Sequence, residues 1–477
     1  MSFIAQHGLW DPAQQDAAKA VQARIDAGGI ETVRLSFPDL HGILRGKVLA
    51  ADAVPAALRD GVAITSTLLL KDTAQRTVVP VFSAGAGLGL TALQGGADMI
   101  MAPDPTTFRT LPWASGAGWM LCDLYFNNGA KVPFSPRHLC RDLLGDLGAL
   151  GYDFVSGLEI EFYLTRLLDP NLSLSDSGQP GTPPDVALLH HGHAYLSEQR
   201  FDQIEPIVEI LRRDLTALGL GLQSMEVEFG PSQCEFVFRP EIGLKSADDM
   251  VLFRSATKQI CRRHGYHASF MCRPRWPNVA SSGWHLHQSL SSRADGSNAF
   301  AGADGEALSP VGRHFLAGLL EGAGAAAAFS TPTINGYRRY RQNSLAPDRA
   351  AWGLDNRGAL LRVIRGVHPG ATRIENRAGE PAANPYLYLA SQIATGMAGM
   401  AAAIEPPPPE DAPYQAERPL LPKSLEEALA KLDQDSALRR SFGDRFIDYF
   451  ILIKRHELSR FNAEVTEWEH REYFDLF

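Results

Sequence analysis

The sequence predicts an α+β protein built from a small β-rich N-terminal domain and a larger domain in which helices alternate with strands. Three observations carry that reading. Up to about Pro112 the chain mixes short alternating runs with loops, including the Gly-rich Ser83 to Gly89. Beyond Met120, helical stretches such as Pro136 to Leu150 and Glu205 to Leu218 alternate with strand-like segments. The acidic, histidine and arginine residues with chemical potential fall in those segments, often two apart, as in Glu159-Ile-Glu161, His285-Leu-His287 and Glu375-Asn-Arg377. On a strand, that spacing puts both partners on one face.

The elements follow in order. Gln14 to Ala27 reads as an amphipathic helix closed by Gly28-Gly29. Thr32 to Phe37 alternates as a strand, Pro38-Asp39-Leu40-His41-Gly42 turns, and Arg45 to Leu49 resumes a strand. Met120 to Tyr125 opens the larger region. Asp169 to Pro184, rich in Ser, Asp, Gly and Pro, reads as an exposed loop. The Ala325 to Ala328 run is too short to span a bilayer and reads as a buried small-residue helix. Pro406 to Pro409 ends a helix, and Ser424-Leu-Glu-Glu427 has the form of a capping box that opens the next one.

At 477 residues, 45% hydrophobic and 21% charged, the chain has the composition of a globular protein with ample core for two or three domains. The net charge of −9 argues against a nucleic-acid binder, which needs a basic patch. Cys122, Cys140, Cys234, Cys261 and Cys272 are odd in number and lack a C-x-x-C pair, as expected of reduced thiols in a cytoplasmic protein. Neither a signal peptide nor a membrane span is expected.

Carboxylates and one or two imidazoles converging from separate strands describe a site for hard divalent cations, and basic residues among them suit phosphate. Glu228 with Glu235 supplies a further acidic pair. Each pair taken alone is equally compatible with a solvated strand face or a satisfied core histidine. His190, His191 and His193 have metal-like spacing but follow a Pro-rich loop, so surface positions are expected for them.

Taken together and in order, the motifs resemble the glutamine synthetase superfamily. They are Gly157-Leu-Glu-Ile-Glu-Phe-Tyr-Leu164, Glu228-Phe-Gly-Pro-Ser-Gln-Cys-Glu235, Ser282-Gly-Trp-His-Leu-His-Gln-Ser-Leu290, Pro332-Thr-Ile-Asn-Gly-Tyr-Arg-Arg339, Asn356-Arg357 with Arg362, and Arg373-Ile-Glu-Asn-Arg377 followed by Ala383-Asn-Pro-Tyr-Leu387. Phe37 to Lys47 and Ala102 to Trp113 resemble the start and end of the family's β-grasp domain. The resemblance implies an N-terminal tail over 1–17, a β-grasp domain over 18–113 and a catalytic domain with an antiparallel sheet and flanking helices over 114–477.

It also implies roles. Glu161, Glu228 and Glu235 would hold one Mg²⁺ or Mn²⁺, and Glu159, His285 and Glu375 another, giving two or more cations per site. Arg357, Arg362 and Arg373, with His287 and Ser289, would bind ATP. Arg339 would bind the α-carboxylate of glutamate and Arg377 its γ-carboxyl end, while Ser281, Gly283, Trp284 and Leu345 complete the substrate-binding set. Arg357, Arg362 and Arg377 would be the catalytic arginines, since the guanidinium fork matches carboxylate and phosphate. The implied reaction phosphorylates the γ-carboxylate of glutamate from ATP, after which an amine displaces phosphate. The implied assembly is a homododecamer of two stacked hexameric rings.

The amine side departs from ammonia users. They carry a glutamate six residues after the glutamate-binding arginine, where this chain has Leu345 before Ala346-Pro347, and an aspartate in the β-grasp domain, where Gly61 to Thr67 has no acid. The loop before the histidines is Ala280-Ser281-Ser282-Gly283, followed by Trp284. An alkylammonium ion, with a pKa of about 10, must be bound as a cation and deprotonated, whereas an aromatic amine is already neutral and needs an apolar slot. The chain therefore resembles γ-glutamylamide synthetases of the polyamine and anilide type, with an apolar or aromatic amine expected. A polyamine such as putrescine ranks second. Ammonia use through another acid such as Asp348, and a non-catalytic assembly, are the remaining alternatives. Tyr414 lies near the position adenylylated in some bacterial members but lacks its surroundings, so that control is not expected.

Overall fold

Asp11 opens the first long helix with a capping box: its side chain accepts from the Gln14 amide, and its own N–H donates to the Gln14 side chain. In the computed structural model, which describes residues 2–169, 171, 173–303, 305–341 and 344–477, that helix is Pro12–Asp26. Gly28 and Gly29 end it with φ near +83° and +84°, a conformation glycine adopts without Cβ strain.

β1 (Thr32–Pro38) and β2 (Leu44–Ala50) form the expected hairpin. Its turn is organised by buried Asp39, whose carboxylate accepts from the His41 and Ile43 amides and from Arg45. The turn also docks on the rest of the molecule. Arg254 donates to the Gly42 carbonyl, and Asn384 donates to the carbonyls of Asp39 and Leu40. A Cβ at Gly42 would meet Arg254 at 2.5 Å, so glycine is needed for this close approach. β3 (Val62–Thr65), β4 (Asp98–Pro103), β5 (Arg109–Thr110) and β6 (Ala117–Tyr125) complete a sheet of order β2-β1-β6-β4-β3, with β5 also on β6.

β6, assigned from sequence to the larger region, is the central strand of the first sheet, parallel to β1 and antiparallel to β4. Every residue of β6 is buried, which is why the segment reads as a continuous apolar run rather than an alternating one.

The second sheet contains ten strands among the described residues: β7 (Tyr152–Leu167), β8 (Val186–Leu188), β9 (Leu222–Val227), β10 (Gln233–Phe238), β11 (Glu241–Ile242), β12 (Tyr266–Ser269), β13 (Trp284–Ser292), β14 (Trp352–Leu354), β15 (Leu361–Ile364) and β16 (Arg373–Gly379). Its main path is β14-β15-β16-β13-β7-β10-β9, antiparallel except for β14 with β15. Long β7 is the spine and also pairs with β8, β11 and β12.

Helices Glu198–Ala217, Lys245–Arg263, Pro310–Ser330 and Pro385–Ala402 flank this sheet. The expected helix from Glu205 begins earlier, at Glu198, and runs through Pro206. Its buried stripe Ile204, Ile207, Val208 and Leu211 offsets the roughly 3 kcal/mol that an interior proline costs. The Ala325 to Ala328 run is buried inside Pro310–Ser330, as expected. That helix approaches Pro385–Ala402 so closely that a Cβ on Gly318 would lie 2.1 Å from the Thr395 carbonyl oxygen. All five cysteines are buried and free. Among the described residues no helix is long and apolar enough to cross a membrane.

The first sheet is tied to the larger domain by buried Arg137 at the start of helix Pro136–Ala149. Its guanidinium pairs with Asp104 (2.8 Å), Asp123 (2.9 Å) and Asp248 (2.8 Å). Replacing one member of such a cluster strands the remaining buried charges. Arg137→Ala should therefore lower stability by about 3–5 kcal/mol in urea unfolding, and a loss below about 1 kcal/mol would show that the cluster behaves like surface ion pairs.

Candidate active site

Strand register assembles the site. In antiparallel pairs, directly opposed residues share a face. Glu161 lies opposite Glu235, Glu159 opposite His285, and His287 and Arg362 flank Glu375 from the two neighbouring strands. Spacing of two then adds Arg373 and Arg377 beside Glu375 and Ser289 beside His287. Residues separated by more than two hundred positions thus meet on one face of one sheet.

Three groups are close enough for each to hold one cation, with ligand atoms all within 4.8 Å: Glu161, Glu228 and Glu235; Glu159, His287 and Glu375; and Glu159, Glu235 and His285. The first is the trio expected from sequence. The second differs from the expected Glu159, His285 and Glu375, because the register puts His287 rather than His285 opposite Glu375. His285 Nδ1 is nonetheless 2.7 Å from Glu159 and 3.8 Å from Glu375.

Hydrogen bonds orient both rings. Arg339 donates to His285 Nε2 at 3.3 Å, and Arg373 donates to His287 Nδ1 at 3.1 Å. An arginine cannot accept, so each ring directs its N–H at Glu159, at 2.7 Å from His285 and 3.0 Å from His287. Burial alone would raise the Glu159 carboxyl, but these two bonds hold it well below the usual range. Burial would likewise raise Glu375, while Arg377 lowers it. Arg362 also donates to Glu375, at 3.0 Å.

The opposite end of the face has no such compensation. Burial, and then the charge of Glu161, push Glu228 up to about 8. Burial, and then Glu159 and Glu161, push Glu235 up to about 11. Glu235 Oε1 is also buried without a hydrogen-bond partner. Three mutually repelling carboxylates with an orphaned oxygen fit a hard divalent cation, which takes oxygen ligands and supplies the missing positive charge.

Two further regions border this face. A cavity of about 360 Å³ is lined by Gly157, Glu159, His287, Ser289, Thr372 and Arg373, with backbone from Gly370 and Ala371, a setting with donors for phosphate oxygens. On the other side Arg339 is anchored by the carbonyls of Arg377 (2.6 Å) and Gly379 (3.4 Å). Glycine is required at 283 for a steric reason: a Cβ would lie 2.4 Å from Arg339 Nη2 and 3.0 Å from His285 Nε2. The Gly283 amide donates to Glu161 at 2.9 Å, and Ser281 accepts from Arg273 at 3.0 Å. Leu345 is 47% exposed, sits in the left-handed region with φ +58°, and its carbonyl accepts from Arg377 at 3.4 Å. Arg357 is exposed and its charge acts on Tyr195.

Two expectations are corrected. Trp284 does not border the amine position: it is fully buried, edge-on to Tyr388 at 5.1 Å. As the immediate neighbour of His285 on a strand it faces the other side of the sheet. His190 is buried rather than on the surface, its Nδ1 2.6 Å from the His191 carbonyl, whereas His191 and His193 are exposed. None of the three belongs to a metal-competent cluster among the described residues.

Sequence reading missed three contributors. Gln233 donates to Glu161 (3.2 Å) and Ser282 (2.9 Å) and so orients a carboxylate of the first trio. Glu226 lies opposite Glu235 and adds to the negative field there. Tyr195 stacks on Phe229, and its hydroxyl is pushed up to about 12 by burial and then by the charges of Glu228 and Glu235. Spacing of two could have exposed Glu226, from Glu228, and Gln233, from Glu235; Tyr195 carries no local signal.

Comparison with known proteins agrees with this geometry. Residues 133–473 match the family described as glutamine synthetase, catalytic domain. The chain is 44% identical to a γ-glutamylanilide synthase from an Acinetobacter species, over 100% of this chain and 99% of the relative. It is 33% identical to a glutamate–isopropylamine ligase from a Pseudomonas species, over 95% and 96%. A solved structure of GmaS without ligand superposes with a TM-score of 0.79 at 27% identity, covering 95% of this chain and 99% of that one.

The raised carboxyls make a signed prediction. Without metal, Glu228 in the folded protein keeps its proton up to about pH 8, whereas the ordinary value is 4.5. The folded state then binds more protons than the unfolded one, so metal-free stability falls as pH rises through that window, and Glu235 extends the fall toward about 11. A divalent cation replaces those protons. Mg²⁺ should therefore raise Tm more at about pH 8 than at about pH 6, read by scanning calorimetry in chelator against Mg²⁺. Equal shifts at both pH values would contradict this origin of the strain.

Proposed function

The chain belongs to the glutamine synthetase family, and from that premise we propose that it is an ATP-dependent ligase joining the γ-carboxyl of L-glutamate to an apolar or aromatic amine other than ammonia. The observation that carries the amine side is Leu345, an exposed apolar residue whose carbonyl accepts from Arg377, in an otherwise complete set of carboxylates and arginines. The names of the anilide and isopropylamine relatives support the same reading.

In this reading the cavity at His287, Ser289 and Arg373 receives ATP, with Arg357 and Arg362 on the transferred phosphoryl group. Arg339 holds the α-carboxylate of glutamate with Ser281 and Gly283 around it, and Arg377 orients the γ-carboxylate. Two or more Mg²⁺ or Mn²⁺ ions held by Glu161, Glu228 and Glu235 and by Glu159, the histidines and Glu375 would neutralise phosphate charge. The protein's share is positioning and charge neutralisation, as phosphoryl transfer requires. The γ-carboxylate attacks the terminal phosphorus, ADP leaves, and the amine nitrogen then attacks the γ-carbonyl and expels phosphate.

The ammonia alternative needs a free acid near Leu345. Asp348 does not offer one, since both its oxygens are taken by Arg349, at 2.8 and 3.1 Å. An aromatic amine needs no such acid, because it is already neutral near pH 7 and arrives with its lone pair available. A homododecamer of stacked hexamers belongs to the same reading. The exposed apolar residues Trp468, Phe474, Leu476 and Phe477 at the C-terminus suit contacts between subunits, and light scattering tests the mass.

Phosphate release with ATP, Mg²⁺, glutamate and a panel of amines should be fastest with an apolar or aromatic amine; fastest release with ammonia would overturn the assignment. Leu345→Glu, which supplies an acid, should improve kcat/KM for ammonia by about tenfold or more. No gain in a folded variant would show that another feature excludes ammonia.

A further inference from the structure

A cavity of about 600 Å³ lies where the turn between β1 and β2 meets the larger domain, within the size range of small-molecule sites. None of the carboxylates or arginines of the sheet face lines it. Helix Lys245–Arg263 supplies one wall through Val251, Arg254, Ser255, Lys258 and Gln259, a stripe at the spacing of a single helix face. Opposite walls are largely apolar and include the rings of Phe270 and Phe450. Ile43 and Met271, both exposed, give the cavity an edge on solvent.

Charge on the helical wall is one-sided. Arg254 and Lys258 stand four residues apart, an arrangement in which like charges repel. Arg254 is 9% exposed, and its hydrogen bonds go to the carbonyls of Gly42, Pro381 and Ala383. Lys258 is more open and donates to the Ala268 carbonyl at 2.9 Å. Other charged groups nearby are already engaged. Asp39 binds Arg45 and the turn amides, Glu380 accepts from the Thr333 amide and hydroxyl, and Lys454 pairs with Glu457. Carbonyls satisfy donors without neutralising a charge, and burial lowers Arg254 to about 10. Its guanidinium has five donors, so those three bonds leave it able to donate further.

We propose that this cavity is a second ligand site, which takes an aryl carboxylate with its charge against Arg254 and Lys258 and its rings against the apolar walls. A carboxylate suits both the guanidinium fork and the ammonium group, and phenylalanine walls favour an aromatic body over an alkyl one. A nucleotide would bring more negative charge than two cations offset, and a neutral ring would leave both cations unpaired.

Calorimetric titration of the intact protein with 2-naphthoate tests the site without turnover, so its result is independent of the ligase reading. The naphthoate should bind about tenfold more tightly than 2-naphthamide, which keeps the rings and loses the charge. Lys258→Met should weaken the naphthoate by about the same factor and leave the amide unchanged. Glutamate should not displace the naphthoate, because Arg339 lies outside the cavity. Equal affinity for acid and amide, undiminished binding to Lys258→Met, displacement by glutamate or no binding at all would each overturn the proposal. Should the variant fail to fold, the comparison of acid with amide in the wild-type protein decides alone.

Discussion

Mutual repulsion among carboxylates buried on one face of the second sheet is the constraint around which this protein is organised. Glu159, Glu161, Glu228, Glu235 and Glu375 cannot all be charged, close together and dry without compensation. On one side the compensation is built in, through Arg362, Arg377 and the two histidines around Glu159 and Glu375. On the other it is missing, which leaves Glu228 and Glu235 far above the ordinary carboxylate range. A site with this imbalance calls for added positive charge, and that charge matches what accompanies a nucleotide triphosphate. The surrounding structure serves to hold the repelling groups in register, from the pairing of β7 with β10 and β13 to the packing of glycines at Gly283 and Gly318.

The same sheet separates the tasks of a ligase in space. His287, Ser289 and Arg373 line a cavity suited to phosphates at one end. Arg339, Gly283 and Arg377 lie in the middle, beside His285 and Glu375. Leu345 marks an apolar side by Arg377. Such a division explains how one catalytic core can serve different nitrogen nucleophiles with few substitutions.

Residues on strands were the legible part. Period-two spacing in β7, β13 and β16 announces a common face from the sequence alone, and order along the chain identifies the family. The same parity argument also places Trp284 on the opposite face from His285, so its burial against Tyr388 could have been anticipated. Pairing across strands was not legible. Which histidine lies opposite Glu375 depends on a register shift between Trp284 and Leu286. The central place of β6 depends on a parallel partner far upstream, and that strand has no alternation to mark an edge or a boundary. Tyr195 and Phe229 come together through a strained loop, a tertiary effect with no periodic trace in the sequence.

A ligase of this family activates a carboxylate by phosphorylation before an amine attacks it. Oxygen tracing tests it most directly: glutamate labelled with ¹⁸O in its γ-carboxylate is turned over with ATP, Mg²⁺ and the preferred amine, and the released phosphate is analysed by mass spectrometry. One ¹⁸O atom should be delivered to phosphate for each amide formed. Unlabelled phosphate accompanying amide formation would contradict it, because the departing carboxylate oxygen would then have left by a route that bypasses the acyl phosphate.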